Sequence, residues 1–83
     1  MDARRKRLLF RAQHCGMREN DILLGAFAEA RLPDLDERQL EAFEVLLGQP
    51  DNDVYDWISG RRPPTEAVDA ALVEMIKNFN NKT

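Results

Sequence analysis

The apolar residues of this chain recur at spacings of three and four, and no segment shows sustained alternation of apolar and polar positions. Such spacings place side chains on one face of an α-helix, whereas a β-strand has a period of two. The pattern divides into five amphipathic segments joined by short connections, with no internal repeat. It therefore predicts an all-α, compact five-helix bundle, and we expect residues 1–83 to form one helical domain without a linker.

The first predicted helix carries an apolar stripe beside a basic one. The apolar stripe spans about 100° of a helical wheel and consists of Leu8, Leu9 and Ala12. The basic stripe consists of Arg4, Arg7, Arg11 and His14, with Phe10 at its border. Gly16 fits the position just past the end of this helix, because glycine adopts the required positive φ without a Cβ penalty. Gly16 is therefore predicted to separate the first helix from the second.

The second helix is predicted from its apolar face and from the proline that follows it. The face consists of Ile22, Leu23, Ala26 and Phe27. The helix should end near Leu32, because Pro33 disfavours helical backbone at the residue before it.

The third helix has the clearest start in the chain. Asp36 is a suitable N-cap, and Gln39 can complete an arrangement like a capping box. Leu35 and Leu40 have the spacing of a hydrophobic staple. The apolar face continues through Phe43, Leu46 and Leu47, and residues 48–50 are expected to end the helix.

Two further helices are predicted after Pro50. The segment PDNDVYDWISG, residues 50–60, begins with residues that favour caps and should form a short helix ending at Gly60. Residues 63–65 are expected to open the last helix, and the tail 80–83 is expected to fray. The apolar positions of this last helix are Val68, Ala71, Leu72, Met75, Ile76 and Phe79.

The charge of the chain is unevenly distributed. The net charge is −3, but residues 1–18 carry +5 and residues 19–83 carry −8. An acidic body would repel phosphates everywhere except at the basic end, so we expect no nucleic-acid partner. The arginine stripe alone favours a solvated helix face over a binding role.

The chain holds one cysteine and no long apolar run. These features predict no membrane insertion, and they favour a reducing, bacterial cytoplasmic compartment. The arginine-rich start could mimic a transit peptide, but its pattern continues directly into the first helix, so we interpret it as part of the fold.

Catalysis and metal binding have little support in the sequence. His14 and Cys15 are neighbours on a helix, where side chains point about 100° apart and do not face each other. A zinc site needs about four convergent ligands, whereas the chain has one cysteine and one histidine. We therefore predict no enzyme, no metal and no directly bound cofactor, and a protein-binding module is the class that the residues favour.

Three segments together resemble the SdhE-type flavinylation factors of succinate dehydrogenase and fumarate reductase. RLLFRAQHCGMREND, residues 7–21, resembles the opening of that family, which has Arg-Gly-Met-x-Glu-x-Asp after an aromatic residue. LEAFEVLL, residues 40–47, resembles its third helix, and residues 50–60 resemble an acidic turn followed by Asp-Leu-x-x-Trp-x-x-Gly. The resemblance covers the chain from about Arg4 to Phe79.

The chain departs from the family pattern at one motif position. Cys15 stands where the family has arginine, while Gly16 and Glu19 match. Arginine offers a permanently charged planar fork, whereas cysteine is a small and weak donor. Either neighbouring groups such as His14, Arg11 and Arg18 compensate, or this chain is a weakened variant.

The resemblance implies an assembly factor that acts as a chaperone rather than as a catalyst. Its partner would be the flavoprotein subunit of succinate dehydrogenase or fumarate reductase, whose own histidine becomes covalently joined to FAD. The implied partner-binding residues are Arg11, Cys15, Gly16, Met17, Arg18, Glu19 and Trp57. By residue type alone, Trp57 is expected in the core. The alternative function is an antitoxin-like regulatory protein-binding module, and for both functions we expect a monomer.

Overall fold

The computed structural model describes residues 1–81 and contains five α-helices with no strand among those residues. The helices are α1 (Ala3–Gln13), α2 (Arg18–Arg31), α3 (Glu37–Leu47), α4 (Asp51–Ile58) and α5 (Ala70–Asn81). A short 3₁₀ turn, Leu32–Asp34, follows α2 directly. The predicted all-α bundle of five helices is confirmed.

The predicted start of the third helix and the predicted end of the second helix are confirmed. The Asp36 side chain accepts from the backbone N–H of Gln39 at 2.8 Å, and the Gln39 side chain accepts from the backbone N–H of Asp36 at 3.0 Å. This reciprocal pair is the capping box expected at the start of α3. Pro33 lies in the 3₁₀ turn immediately after α2, as its restricted backbone predicts.

All five helices contribute to one cluster of buried apolar side chains. Phe27 of α2 lies at the meeting point of three helices. Its ring centroid is 5.9 Å from that of Phe43 on α3 and 5.8 Å from that of Phe79 on α5, and the second pair is edge-to-face. Aromatic rings at these separations interact favourably beyond the area that they bury. Phe27 therefore links α2 to α3 and α5.

The face of α2 that packs inward differs from the prediction. Phe27 is buried as expected, but Ile22 is 59% exposed, Ala26 is exposed and Leu23 is half-buried. The inward face consists of Asn20, Leu24, Gly25, Phe27 and Ala28. Residues 22–28 offer two overlapping apolar stripes, and the position of α1 selects one of them. A Cβ on Gly25 would lie 3.2 Å from the Gln13 side chain, so this glycine permits the close approach of α1.

The last helix begins later than predicted. α5 starts at Ala70 rather than at residues 63–65, and the Asp69 side chain caps it by accepting from the N–H groups of Ala71 at 2.8 Å and Leu72 at 3.1 Å. The connection before it is held to α4 by Arg62, which pairs with Asp53 at 2.7 Å and Asp56 at 2.8 Å. Pro63 and Pro64 favour extended backbone at the residues before them, which disfavours helix at the start of this connection.

The outcomes at the end of the chain are mixed. Val68 is buried as predicted, but it lies in the connection before α5 rather than in the helix. Ala71 was predicted on the apolar face of the helix and is exposed. Asn80 does not fray, because its side-chain amide donates to Leu23 O at 3.3 Å and to Ile76 O at 3.0 Å. The predicted fraying of residues 82 and 83 lies outside the described residues.

Part of the basic stripe on α1 is structural. Arg4 forms ion pairs with Glu37 and, at 3.0 Å, with Glu44 on α3. The guanidinium of Arg5 donates to the carbonyl oxygens of Leu32 at 2.9 Å and Leu35 at 2.6 Å. These contacts hold α1 against α3 and against the turn after α2. The arginine stripe was expected to be solvated, but Arg4 is instead paired with α3.

Within residues 1–81, no helix has the length and apolar content that a membrane span requires.

Candidate functional site

The candidate site is centred on the connection between α1 and α2, residues 14–17, here called the elbow. His14 ends α1 by donating its backbone N–H to Arg11 O at 3.2 Å. Gly16 has a φ of 92°, so the predicted left-handed backbone is confirmed. A Cβ at this position would also lie 3.4 Å from a carboxylate oxygen of Asp51. Glycine thus serves both the turn and the close approach of α4.

Hydrogen bonds that involve α2 and α4 fix the shape of the elbow. The Cys15 backbone N–H donates to the Asp21 carboxylate in the first turns of α2. Asn20 is fully buried, and its side-chain amide donates to Asp51 O at 2.9 Å. A buried hydrogen bond between helix starts is costly to break, because it would leave unsatisfied groups away from water. The elbow is therefore a supported turn rather than a free loop.

The side chain of Cys15 is half-buried and turned toward α1. Its Sγ lies 3.2 Å from Arg11 O and 3.3 Å from Ala12 O, at hydrogen-bonding distance for a thiol donor. Burial, followed by the charges of Asp21 and Asp51, raises the pKa of the Cys15 thiol to about 11, while Arg11 acts in the opposite direction. The thiol is thus neutral at physiological pH, and the motif position carries no charge.

We expect Cys15 to react slowly with alkylating reagents in the folded protein. With a pKa of about 11 in place of the ordinary 9.0, the thiolate population near pH 8 should be lower by about a hundredfold. The rate of modification by iodoacetamide should keep rising up to about pH 11. The same protein unfolded in urea is the matched control, and its rate should level off near pH 9.0. Equal rates for both states near pH 8 would contradict the buried, neutral thiol.

Six of the seven predicted site residues are brought together around the elbow. Gly16, Arg18, Glu19 and Arg11 are exposed, and Cys15 and Met17 are half-buried. The Glu19 carboxylate lies in the first turn of α2, where the helix dipole favours it, and it makes no hydrogen bond or ion pair among residues 1–81. The elbow therefore presents a free carboxylate and a flat glycine backbone to solvent.

Trp57 does not belong to the exposed surface. Its side chain is 2% exposed and is part of the core, so the interpretation from residue type is confirmed. The resemblance implied that Trp57 contacts the partner, but the buried indole offers no surface for such a contact in this conformation. Its Nε1 has no hydrogen-bond partner among the described residues. The helical spacing of Val54, Trp57 and Ile58 already indicated an inward face.

Two exposed apolar side chains near the elbow were missed by the pattern. Phe10 is 63% exposed and stacks on His14 with ring centroids 4.1 Å apart, and Ile22 is 59% exposed. Periodicity assigned Ile22 to the core and left Phe10 at the border of a basic stripe. Within residues 1–81, no group of three or more histidine, cysteine or acidic side chains is arranged to hold a metal ion.

Fold and site together define a small all-α protein whose distinctive exposed feature is a glycine elbow that carries a free carboxylate. The chain belongs to the family described as flavinator of succinate dehydrogenase, whose model matches residues 6–80. The resemblance found in the motifs is confirmed by this match.

Named relatives support the family assignment. A FAD assembly factor SdhE from Acetobacter pasteurianus is 42% identical over 77 residues, which is 92% of this chain and 71% of that protein. Succinate dehydrogenase assembly factor 2 from Danio rerio is 37% identical over 81 residues, covering 95% of this chain and 51% of the relative. The corresponding Dictyostelium discoideum protein is 36% identical over 74 residues, covering 89% and 52%. This chain thus spans about half the length of the mitochondrial relatives.

Proposed function

We propose that this protein is an assembly factor that binds the flavoprotein subunit of succinate dehydrogenase, or of the related fumarate reductase, and promotes its covalent attachment of FAD. Family membership and the names of the relatives support this function, and those names describe assembly rather than catalysis. The observation that carries the proposal is the exposure of Gly16 and Glu19, the two motif residues, on a supported elbow.

The proposed mechanism is a bias on the conformation of the client. The elbow docks between the FAD-binding and capping domains of the flavoprotein and stabilises the arrangement in which the client's histidine meets its flavin. The client supplies the reacting groups, and the assembly factor supplies only differential affinity for the productive arrangement. A preformed elbow suits this task, because little conformational entropy is lost when it binds.

Cys15 replaces the arginine of the family motif, so the positive charge of that motif must come from other side chains. Arg11 and Arg18 flank the elbow, are exposed, and make no ion pair among residues 1–81. We propose that these two guanidinium groups replace the missing arginine in contacts with client carboxylates or carbonyls.

We also propose that the protein acts as a monomer in the bacterial cytoplasm. The lone cysteine and the Acetobacter relative support this setting.

The function is tested by expressing the flavoprotein subunit with and without this protein in a host that lacks its own factor. Covalent flavin is followed by in-gel fluorescence of the denatured subunit. We expect a clear increase of the signal when this protein is present. An unchanged signal, with both proteins folded and abundant, would contradict the proposed function.

Glu19→Ala should lower the covalent flavin signal several-fold, because it removes the free carboxylate that faces the client. The matched control is Glu29→Ala, which removes an exposed carboxylate from the same helix about 15 Å further along its axis. Both variants should unfold within about 1 kcal/mol of the parent protein. Equal labelling by the two variants would remove Glu19 from the docking site.

A further inference from the structure

Among residues 1–81, four large apolar side chains are exposed, and two of them lie on the helices that form the elbow. Phe10 on α1 is 63% exposed and Ile22 on α2 is 59% exposed, whereas Met1 and Val45 lie elsewhere in the chain. A single exposed apolar residue is ordinary, but one on each of the two helices that form a candidate site indicates an interaction surface.

Phe10 and Ile22 each project from the solvent-facing side of their own helix, and these two sides of α1 and α2 are here called the outer face. α1 and α2 run antiparallel, since Gln13 near the end of α1 lies against Gly25 in the middle of α2. Phe10 lies about 160–200° round its helix from Leu8 and Ala12, and Ile22 lies about 160° from Leu24. Leu8, Ala12 and Leu24 are buried, so both exposed side chains point directly away from the core.

Phe10 is held in place before any partner arrives. Its ring stacks on His14 at a centroid separation of 4.1 Å and an interplanar angle of 22°. The Nδ1 atom of His14 lies 2.8 Å from the Phe10 carbonyl oxygen, which fixes the imidazole over the last turn of α1. An aromatic group that is already ordered loses little freedom when it is buried in an interface.

Unpaired positive charge lies on α1 beside Phe10, whereas Ile22 on α2 has both Arg18 and Glu19 about one helical turn before it. Of the basic residues in positions 1–18, Arg4 and Arg5 form ion pairs within the fold. The other basic residues of that segment are exposed and make no ion pair among the described residues; they are Lys6, Arg7, Arg11 and Arg18. Acidic residues are absent from positions 3–18. An exposed phenylalanine with a basic border complements an apolar depression with an acidic border.

We propose that Phe10 and Ile22 are the apolar anchors by which this protein binds its client, and that Phe10 enters an apolar depression bordered by carboxylates on the flavoprotein subunit. This inference rests on the proposed function, and it assigns to the outer face the anchorage that the buried Trp57 cannot provide. The elbow positions the client, and the outer face beside it supplies the affinity.

The test compares Phe10→Ser and Ile22→Ser with Val45→Ser, a matched control on α3 that is 47% exposed. Serine has nearly the helix propensity of all three parent residues, so the three variants should unfold at nearly the same midpoint. The dissociation constant for the purified flavoprotein subunit is measured by calorimetry. Phe10→Ser and Ile22→Ser should each weaken binding at least about tenfold, and Val45→Ser should leave it unchanged.

The charge requirement is tested with a second pair of variants. Arg7→Ala combined with Arg11→Ala should weaken binding and reduce its dependence on salt, whereas Arg38→Ala on α3 should change neither. Arg38 is also exposed and unpaired among residues 1–81, which makes it a suitable control. If the double variant binds the client with the same salt dependence as the parent protein, the proposed acidic border on the client is overturned.

The results of these experiments distinguish a failure of the outer-face inference from a failure of the proposed assembly function. If the parent protein binds the client and raises covalent flavin, while both serine variants bind like the parent, the outer-face inference is overturned and the proposed function stands. If the parent protein binds no flavoprotein and leaves covalent flavin unchanged, both are overturned. Weak binding by the two serine variants alone supports the inference.

Discussion

Replacing Gly16 by arginine is expected to lower covalent flavin on the client to the level found without this protein. Gly16 has a φ of 92°, and a Cβ there would face the Asp51 carboxylate at 3.4 Å. A non-glycine residue in left-handed backbone costs about 1–2 kcal/mol. The larger effect comes from the long side chain, which covers the flat backbone that the client is proposed to approach.

Gly60→Arg is the control that separates strain from docking. Gly60 has a φ of 84° and lies just after α4, where an added Cβ would be 3.5 Å from the Lys77 side chain. We expect both variants to lose a similar free energy of unfolding in urea, with normal flavin labelling only for Gly60→Arg. Labelling that falls equally in both would attribute the loss to stability and would remove the elbow from the mechanism.

Phe27→Ala should produce the largest loss of stability available from one substitution. Phe27 is fully buried and contacts aromatic rings on two other helices. Truncation of a buried phenylalanine costs about 3–5 kcal/mol. A chain of this length is expected to have a total stability of about 4–12 kcal/mol. The variant should therefore be partly unfolded, as measured by circular dichroism during urea titration.

The control for this substitution is Phe10→Ala, the same chemical change at an exposed site. Because Phe10 is 63% exposed, its truncation should shift the free energy of unfolding by no more than about 0.5 kcal/mol. Similar losses in Phe10→Ala and Phe27→Ala would contradict the packing described for α2, α3 and α5.

The parts of the fold that sequence predicted are those set by local chemistry. The capping box of Asp36 and Gln39, the positive φ of Gly16 and the end of α2 before Pro33 depend on residues within a few positions of each other. These signals act between residues that are close in sequence, so they depend little on how the helices pack together.

The errors arose where distant residues decide the outcome. α5 begins at Ala70, where Asp69 caps it, and Arg62 pairs the preceding connection with α4, a contact that periodicity cannot indicate. Asn80 stays helical because it reaches a carbonyl oxygen of α2, more than fifty positions away. Local propensity therefore placed the helices, while tertiary contacts set where the last one starts and ends.

The candidate site shows the same division. Gly16 and Glu19 were predicted from the motif and are exposed, whereas Trp57 was assigned a surface role and is buried. Ile22 was assigned to the core because residues 22–28 contain two overlapping apolar stripes. The choice between them depends on the close approach of α1 at Gly25, which one helix considered alone does not reveal.

The protonated sulfur at the centre of the elbow has a consequence for oxidants. Hydrogen peroxide attacks thiolates to give sulfenic acids, so a cysteine whose pKa is raised to about 11 is a poor target. Cys15 is the only cysteine in the chain, so peroxide should form little sulfenic acid on this protein. The neutral, half-buried thiol should therefore stay reduced, and the elbow should keep its shape, when peroxide is present.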